Sequence, residues 1–153
     1  MKVMKFGGTS VGSAGAMLKV KQVVESCREE VVVVVSALGG ITDHLLKTAR
    51  LASAADPRYR EELEKIVARH RELVRDVVLP EKKEEVGARV GTMLDELTNI
   101  FKGVFLIQDL SVKTTDTIVS YGERLSSTII SGVIEGAVLY DARQFIKTRD
   151  YYN

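Results

Sequence analysis

Residues 31–42 read VVVVVSALGGIT, and this stretch decides the fold class. Five successive valines show no alternation of apolar and polar residues, which is typical of a central strand of a parallel sheet with both faces buried. Gly39 and Gly40 end the strand, and a helix is predicted from about Thr42 to Ser53. A buried strand, a glycine turn and a helix together indicate a layered α/β fold.

A second unit of the same kind opens the chain. Residues 2–6 predict a strand, KFGGTS at Lys5–Ser10 ends it, and residues 13–29 predict a helix that Thr9 or Ser10 can cap. A glycine turn that leads into a helix N-terminus is a ready anion site, and Lys5 adds a positive charge beside it. A tight turn with a surface lysine explains the hexapeptide equally well. The lysine precedes the glycines, so this is not a Walker A loop.

The middle of the chain predicts two helices instead of further α/β units. One begins at Asp56-Pro57, with the proline in its first turn, and ends at Pro80, and the other runs from about Lys82 to Lys102. Each carries one apolar stripe, which indicates an antiparallel helical hairpin inserted at about 56–102. His70 lies on the first stripe and is interpreted as packing, and the charge run from Arg58 to Arg75 as a solvated face.

The last third predicts a loop at 108–113, a helix capped by Thr114 or Thr115 that runs to about Glu135, and a third strand at 137–140. Within that helix lies SYGERLSS (120–127), where Gly122 and the serines allow close approach to another element. The carboxylate of Glu123 on the same side needs a cation, either Lys5 or the ammonium group of a ligand. The alternative is an exposed Glu123 that pairs with Arg124 or with a neighbouring helix.

Composition limits the class of protein. The chain has 153 residues, 45% hydrophobic and 28% charged, with a net charge of +1, which fits one globular domain and offers no basic stripe for nucleic acid. One cysteine and two histidines exclude an internal disulfide and give little for a metal site. No apolar run reaches membrane-spanning length and no signal peptide is present, so we expect no membrane partner and a cytoplasmic location.

Four motifs in order resemble one family. KFGGTSV, VVVVVSALGGITDHL, IVSYGERLSS and YDARQFIKT together resemble the N-terminal half of aspartate kinases, in the amino acid kinase family. The start of the chain and the helical hairpin also resemble the kinase end of bifunctional aspartokinase–homoserine dehydrogenases. The resemblance covers essentially the whole chain. It implies an incomplete three-layer αβα sandwich with a mainly parallel sheet. Residues 1–153 would be the N-terminal half of the catalytic domain, truncated before the nucleotide half and the regulatory ACT domains.

The resemblance also implies a reaction, in which the γ-phosphoryl group of ATP passes to the β-carboxylate of L-aspartate. The product, 4-phospho-L-aspartate, leads to lysine, threonine and methionine. The acceptor carboxylate is ionised near pH 7, so no general base is needed. The fragment alone is expected to be inactive, and the complete protein to form a dimer. A kinase of another small acid on the same fold and a non-catalytic ligand-binding module are the alternatives.

The same resemblance assigns roles to residues by their place in the motifs. Lys5 is the catalytic residue that stabilises the transferring phosphoryl group, and Mg²⁺ accompanies the nucleotide without a protein metal site. The remaining roles are phosphate binding by Lys5, Gly7, Gly8, Thr9 and Ser10, and aspartate binding by Ser36, Gly40, Thr42 and Glu123, the last through the α-ammonium group.

Overall fold

The computed structural model of the protein describes residues 1–147, so Thr148 of the YDARQFIKT motif and the closing segment 150–153 lie outside it. The elements along the chain are β1 (Lys2–Phe6), α1 (Ala14–Glu25), β2 (Val31–Val35), α2 (Ile41–Ser53), α3 (Tyr59–Val77), a 3-10 turn (Pro80–Lys82), α4 (Lys83–Ile107), α5 (Val112–Val133) and a second 3-10 turn (Ala142–Gln144).

The two strands form a parallel sheet. β1 and β2 pair in register from Lys2 opposite Val31 to Phe6 opposite Val35, with α1 as the crossover between them. A parallel pair requires a crossover connection of this kind, because a tight turn can join only antiparallel strands. The predicted α/β class with a parallel sheet is confirmed.

The two faces of the sheet differ in burial. Phe6, Val33 and Val35 pack against the core that the helices form. Val32 and Val34 each remain 44% exposed on the opposite face. The prediction that β2 is buried on both faces is therefore wrong for residues 1–147, because the helices described in this range cover only one face of the sheet.

The predicted helical hairpin is confirmed as α3 and α4. The rings of Tyr59, at the start of α3, and Phe105, near the end of α4, have centroids 5.0 Å apart. At the other end, Val74 lies 3.8 Å from the position that a Cβ on Gly87 would take, so the two helices are antiparallel. Pro80 separates them as expected, and α4 continues to Ile107 instead of ending at Lys102.

Both predicted helix caps are wrong. Ser13, not Thr9 or Ser10, caps α1 and accepts a hydrogen bond from the Ala16 amide at 3.3 Å. Ser111 caps α5 and accepts from the Thr114 amide at 3.1 Å. Several hydroxyl residues precede each helix, and the one that caps it is decided by where the backbone leaves its extended conformation. α1 also ends earlier than predicted, so Cys27 follows the helix.

The predicted third strand is not formed in the described part of the chain. Gly136 ends the α5 region with a φ of +66°, as its position suggested. Residues 137–140 then lie without strand pairing, and the side chains of Val138 and Tyr140 are exposed. A short apolar segment becomes a strand only when a neighbouring strand takes up its backbone hydrogen bonds, and neither β1 nor β2 pairs with it.

Candidate functional site

The two glycine turns, which we call loop 1 (residues 7–12) and loop 2 (residues 36–40), touch each other backbone to backbone. The Gly39 amide donates a hydrogen bond to the Gly8 carbonyl oxygen at 2.9 Å. A Cβ on Gly8 would lie 2.9 Å from the Ala37 carbonyl oxygen, closer than real Cβ atoms come. Glycine at position 8 is what lets the loops meet at the carboxyl edge of the sheet, where α/β folds place ligands.

Loop 1 leaves room beside its first glycine. The Ser10 amide donates to the Gly7 carbonyl oxygen at 2.9 Å, which closes a tight turn around Thr9. A Cβ on Gly7 would meet no heavy atom within 4 Å, so the backbone there is open to a close approach. Lys5 on β1 is exposed, and no carboxylate in residues 1–147 comes within 4 Å of its ammonium group. Among the described residues, Lys5 is therefore a cation without a neutralising carboxylate, on the strand that leads into an open glycine turn.

Loop 2 connects β2 to α2, and its first residue, Ser36, still forms a backbone hydrogen bond to β1. The Ser36 amide donates to the Phe6 carbonyl oxygen at 3.1 Å. Gly40 has a φ of +80°, which favours glycine, and as the N-cap of α2 it has no side chain to cap the helix. Thr42 is half-buried in the first turn. An N-terminus without a side-chain cap suits a carboxylate ligand, because amide groups and the helix dipole attract negative charge there.

Helix α5 packs directly onto loop 2, as its small residues predicted. The hydroxyl of the buried Ser126 donates to the Ser36 carbonyl oxygen at 2.6 Å. One turn earlier, a Cβ on Gly122 would lie only 2.8 Å from the Ala37 Cβ. Neither contact could form with a larger residue at position 122, so the glycine sets the distance between helix and loop.

Glu123 is placed at the same junction with its carboxylate exposed. Its Oε1 accepts a long hydrogen bond, 3.4 Å, from the Ala37 amide. Within residues 1–147 it forms no ion pair with Lys5 or with Arg124, so both of those pairings are wrong. Arg124 instead lies over the Tyr121 ring at 4.3 Å and 3.9 Å from Glu96. A ligand ammonium group remains as the predicted partner of the Glu123 carboxylate.

Sequence reasoning missed Arg69, which joins the two loops. Its guanidinium donates to the Gly39 carbonyl oxygen at 2.8 Å and to the Gly12 carbonyl oxygen at 2.9 Å. The interpretation of this part of α3 as a solvated face is wrong for Arg69, which is half-buried. The signal was its spacing: Arg69 follows the buried Ile66 by three residues and precedes the buried Leu73 by four, at the border of the apolar stripe.

Two of the titratable groups on α3, His70 and Glu62, have pKa values lowered well below their ordinary range. Burial lowers the pKa of His70 to about 4, and its Nδ1 is hydrogen bonded to the Ile66 carbonyl oxygen at 2.7 Å. The interpretation of His70 as packing is confirmed. Hydrogen bonds from Lys65, Lys47 and His44 lower the pKa of Glu62 to about 2, and this cluster links α2 to α3.

No three His, Cys, Asp or Glu side chains in residues 1–147 are grouped so that they could hold a metal ion. None of the helices described there has both the length and the apolar character needed to cross a bilayer.

Comparison with known proteins assigns the family. The model of the amino acid kinase family matches residues 1–147. This chain belongs to the amino acid kinase family. Within it, the chain is 33% identical to Arabidopsis thaliana aspartokinase 1, chloroplastic, over 99% of this chain and 27% of that protein. It is 27% identical to A. thaliana bifunctional aspartokinase/homoserine dehydrogenase 2, chloroplastic, over 86% of this chain and 14% of that protein. The resemblance to both forms is confirmed.

Solved structures of aspartokinases have the same fold as this chain. The chain superposes on E. coli aspartokinase III in complex with lysine and aspartate (T-state) with a TM-score of 0.75 and 27% identity. For the same enzyme in complex with aspartate and ADP (R-state) the TM-score is 0.73 and the identity 30%. Both alignments cover 87% of this chain and 28% of the aspartokinase. The chain thus spans less than a third of the length of these relatives.

Proposed function

We propose that residues 1–153 are the N-terminal half of an aspartate kinase catalytic domain. The whole protein would transfer the γ-phosphoryl group of ATP to the β-carboxylate of L-aspartate, giving 4-phospho-L-aspartate and ADP. The observation that carries the proposal is the meeting of loop 1, loop 2 and Glu123 at one edge of the sheet. E. coli aspartokinase III, which has this fold, is described in complex with aspartate and with ADP.

Loop 1 and Lys5 would form the phosphoryl side of the site. Phosphoryl transfer depends mainly on positioning and on neutralising charge at the transferring group. Lys5 supplies an exposed cation that no carboxylate of residues 1–147 neutralises, and the open backbone at Gly7 allows phosphate oxygens to approach. Gly8, Thr9 and Ser10 complete the turn along which the phosphates would bind.

Loop 2 and α5 would form the aspartate side. The N-terminus of α2 at Gly40, with Ser36 and Thr42 beside it, offers amide and hydroxyl donors for a substrate carboxylate. Glu123 would bind the α-ammonium group, since its carboxylate would repel phosphate. The acceptor carboxylate is already ionised at neutral pH, so transfer requires no general base from the protein.

Further parts of the proposal concern the whole protein. Mg²⁺ would enter on the nucleotide phosphates, since phosphate oxygens are ligands that it prefers. The complete protein would contain the nucleotide half and regulatory ACT domains, form a dimer and serve lysine, threonine and methionine synthesis. We also propose a cytoplasmic location, whereas the Arabidopsis relatives are named as chloroplastic.

Hydroxylamine trapping of the acyl phosphate tests the reaction. The full-length protein is incubated with ATP, Mg²⁺ and hydroxylamine, and with aspartate, glutamate or acetylglutamate in parallel. Aspartyl hydroxamate alone is the expected product, and residues 1–153 in the same assay are expected to give none. Product only with another acid would replace the substrate. No product from a folded protein with any acid would favour a ligand-binding module.

A further inference from the structure

A single side chain connects the starts of two helices. Arg69 on α3 donates to the carbonyl oxygens of Gly12 and Gly39. Gly12 directly precedes Ser13, the N-cap of α1, and Gly39 directly precedes Gly40, the N-cap of α2. The guanidinium therefore holds the last backbone group of loop 1 and the equivalent group of loop 2 at the same time.

The guanidinium suits this task. Its planar fork presents several N–H donors in fixed directions, whereas a lysine ammonium acts as a point charge. Arg69 is half-buried, and no carboxylate in residues 1–147 lies within ion-pair distance of it. Its charge is thus directed to two carbonyl groups, and such charge-assisted hydrogen bonds are stronger than neutral ones.

No side chain separates the loops at this point. A Cβ on Gly12 would lie 2.9 Å from the Gly8 carbonyl oxygen and 3.5 Å from the Gly39 nitrogen. The direct link between the loops is the hydrogen bond from the Gly39 amide to the Gly8 carbonyl oxygen. Arg69 adds a second polar link between the loops, and its loss leaves one neutral hydrogen bond as the direct polar link between them in the described structure.

Anchoring α3 does not require Arg69. The helix is already held in the core by its buried apolar side chains, which include Leu63, Ile66, Leu73, Val74 and Val77. Removing the polar end of one side chain at the border of this stripe leaves the buried apolar side chains in place, and apolar burial dominates the stability of packed helices. The two hydrogen bonds of Arg69 therefore act mainly on the loops.

We propose that Arg69 is a positioning residue that sets the spacing between loop 1 and loop 2. This rests on the proposed function, in which loop 1 binds the phosphoryl donor and loop 2 the aspartate acceptor. Donor and acceptor react only when their reacting atoms are held close and aligned, so a small change in loop spacing lowers turnover more than it lowers ground-state binding.

Steady-state kinetics of the full-length protein test the catalytic part. Arg69→Ala is expected to lower kcat about tenfold or more with the KM for ATP and for aspartate changed less than about threefold. Arg69→Lys should recover little, and added guanidinium ion should restore part of the activity of Arg69→Ala. Arg71→Ala, an exposed arginine on the same helix, is the matched control and should keep wild-type kinetics. Wild-type kcat in Arg69→Ala would overturn the inference.

Amide hydrogen exchange of the same proteins gives a readout that needs no activity. In Arg69→Ala the Gly39 amide and the amides of loop 1 should exchange faster than in wild type, and in Arg71→Ala they should not. Unchanged exchange in Arg69→Ala overturns the inference whatever the activity. Faster exchange in a full-length protein whose wild type shows no aspartate kinase activity would retain the positioning role and reject the proposed function.

Discussion

The hydroxyl of Ser126 on α5 donates to the carbonyl oxygen of Ser36 at the end of β2, at 2.6 Å. This bond joins a helix to a loop that lies 90 residues earlier in the chain. It places Glu123, one turn before Ser126, beside the Ala37 amide. The position of a candidate substrate ligand is thus set by the packing of α5 against loop 2, which makes that packing the first feature to test.

Substituting Gly122 with alanine should disturb this packing. The added Cβ would lie 2.8 Å from the Ala37 Cβ, and such overpacking typically costs about 1–3 kcal/mol in the free energy of unfolding. Gly91→Ala in α4 is the control. The added Cβ would meet no heavy atom of another part of the described structure within 4 Å, so the higher helix propensity of alanine should stabilise this variant by up to about 1 kcal/mol. Urea unfolding measures both, and equal effects of the two would contradict the packing argument.

The neighbouring glycines of loop 1 should respond differently to alanine. Gly8→Ala brings a Cβ to 2.9 Å from the Ala37 carbonyl oxygen, so it should separate the loops and lower both stability and kcat. Gly7→Ala meets no protein atom within 4 Å and should keep the melting temperature, while raising the KM for ATP if phosphate approaches there. Thermal unfolding measures the loss of stability expected for Gly8→Ala, and steady-state kinetics measure the change in the KM for ATP expected for Gly7→Ala. A destabilised Gly7→Ala would show that this backbone is not open.

Lys5→Ala should lower kcat by about a hundredfold or more with the fold intact, because an exposed cation at the phosphoryl position acts mainly in the transition state. Lys2→Ala, on the same strand and paired with Glu29 at 3.2 Å, should leave kcat unchanged. Kinetics at saturating ATP and aspartate give the comparison, with circular dichroism to check the fold. The assignment of Lys5 fails if both variants turn over at the wild-type rate.

Glu123→Gln should raise the KM for aspartate about tenfold or more, with a smaller change in the KM for ATP, because it removes the charge that would bind the α-ammonium group. Asp116→Asn removes an exposed carboxylate elsewhere on α5 and serves as the control. Initial rates at varied aspartate concentration give the KM for aspartate of both variants. A KM for ATP that rises instead would move Glu123 to the nucleotide side of the site.

His70 predicts a pH dependence of stability. Its folded pKa of about 4 lies below the ordinary value of 6.5, so the unfolded chain binds an additional proton between these values. Stability from this group is fully present above pH 6.5 and decreases as the pH falls towards 4, by roughly 3 kcal/mol in total. His70→Leu should remove this part of the slope, because leucine does not titrate. The buried Nε2 of His70 has no hydrogen-bond partner in the described structure, so the substitution loses no hydrogen bond at that nitrogen.

Urea unfolding at pH 7.5, 5.5 and 4.5 measures the difference between wild type and His70→Leu. The stability of the variant relative to wild type should rise as the pH falls from 7.5 to 4.5. If the free energies of unfolding of the two proteins change with pH by the same amount, His70 is not the group that titrates.

The sequence by itself determined those structural elements that depend on patterns of residues close together in the chain. These patterns are the valine run in β2, the two glycine turns, Pro80 between two apolar stripes, and Gly122 among the serines of α5. A strand, a helix and a turn depend on such short-range patterns, so the α/β class, the hairpin and the candidate residues of both loops were predictable.

Tertiary structure alone decided which residues meet. Ser13 and Ser111 cap their helices although other hydroxyls lie nearby, and residues 137–140 form no strand because neither described strand pairs with them. Among the described residues, Glu123 meets the Ala37 amide instead of a cation. Arg69, within a charged stretch of α3, reaches Gly39 and Gly12, which lie 30 and 57 residues earlier in the chain. These outcomes depend on distances between elements remote in the chain, which are set by core packing and which no local pattern contains.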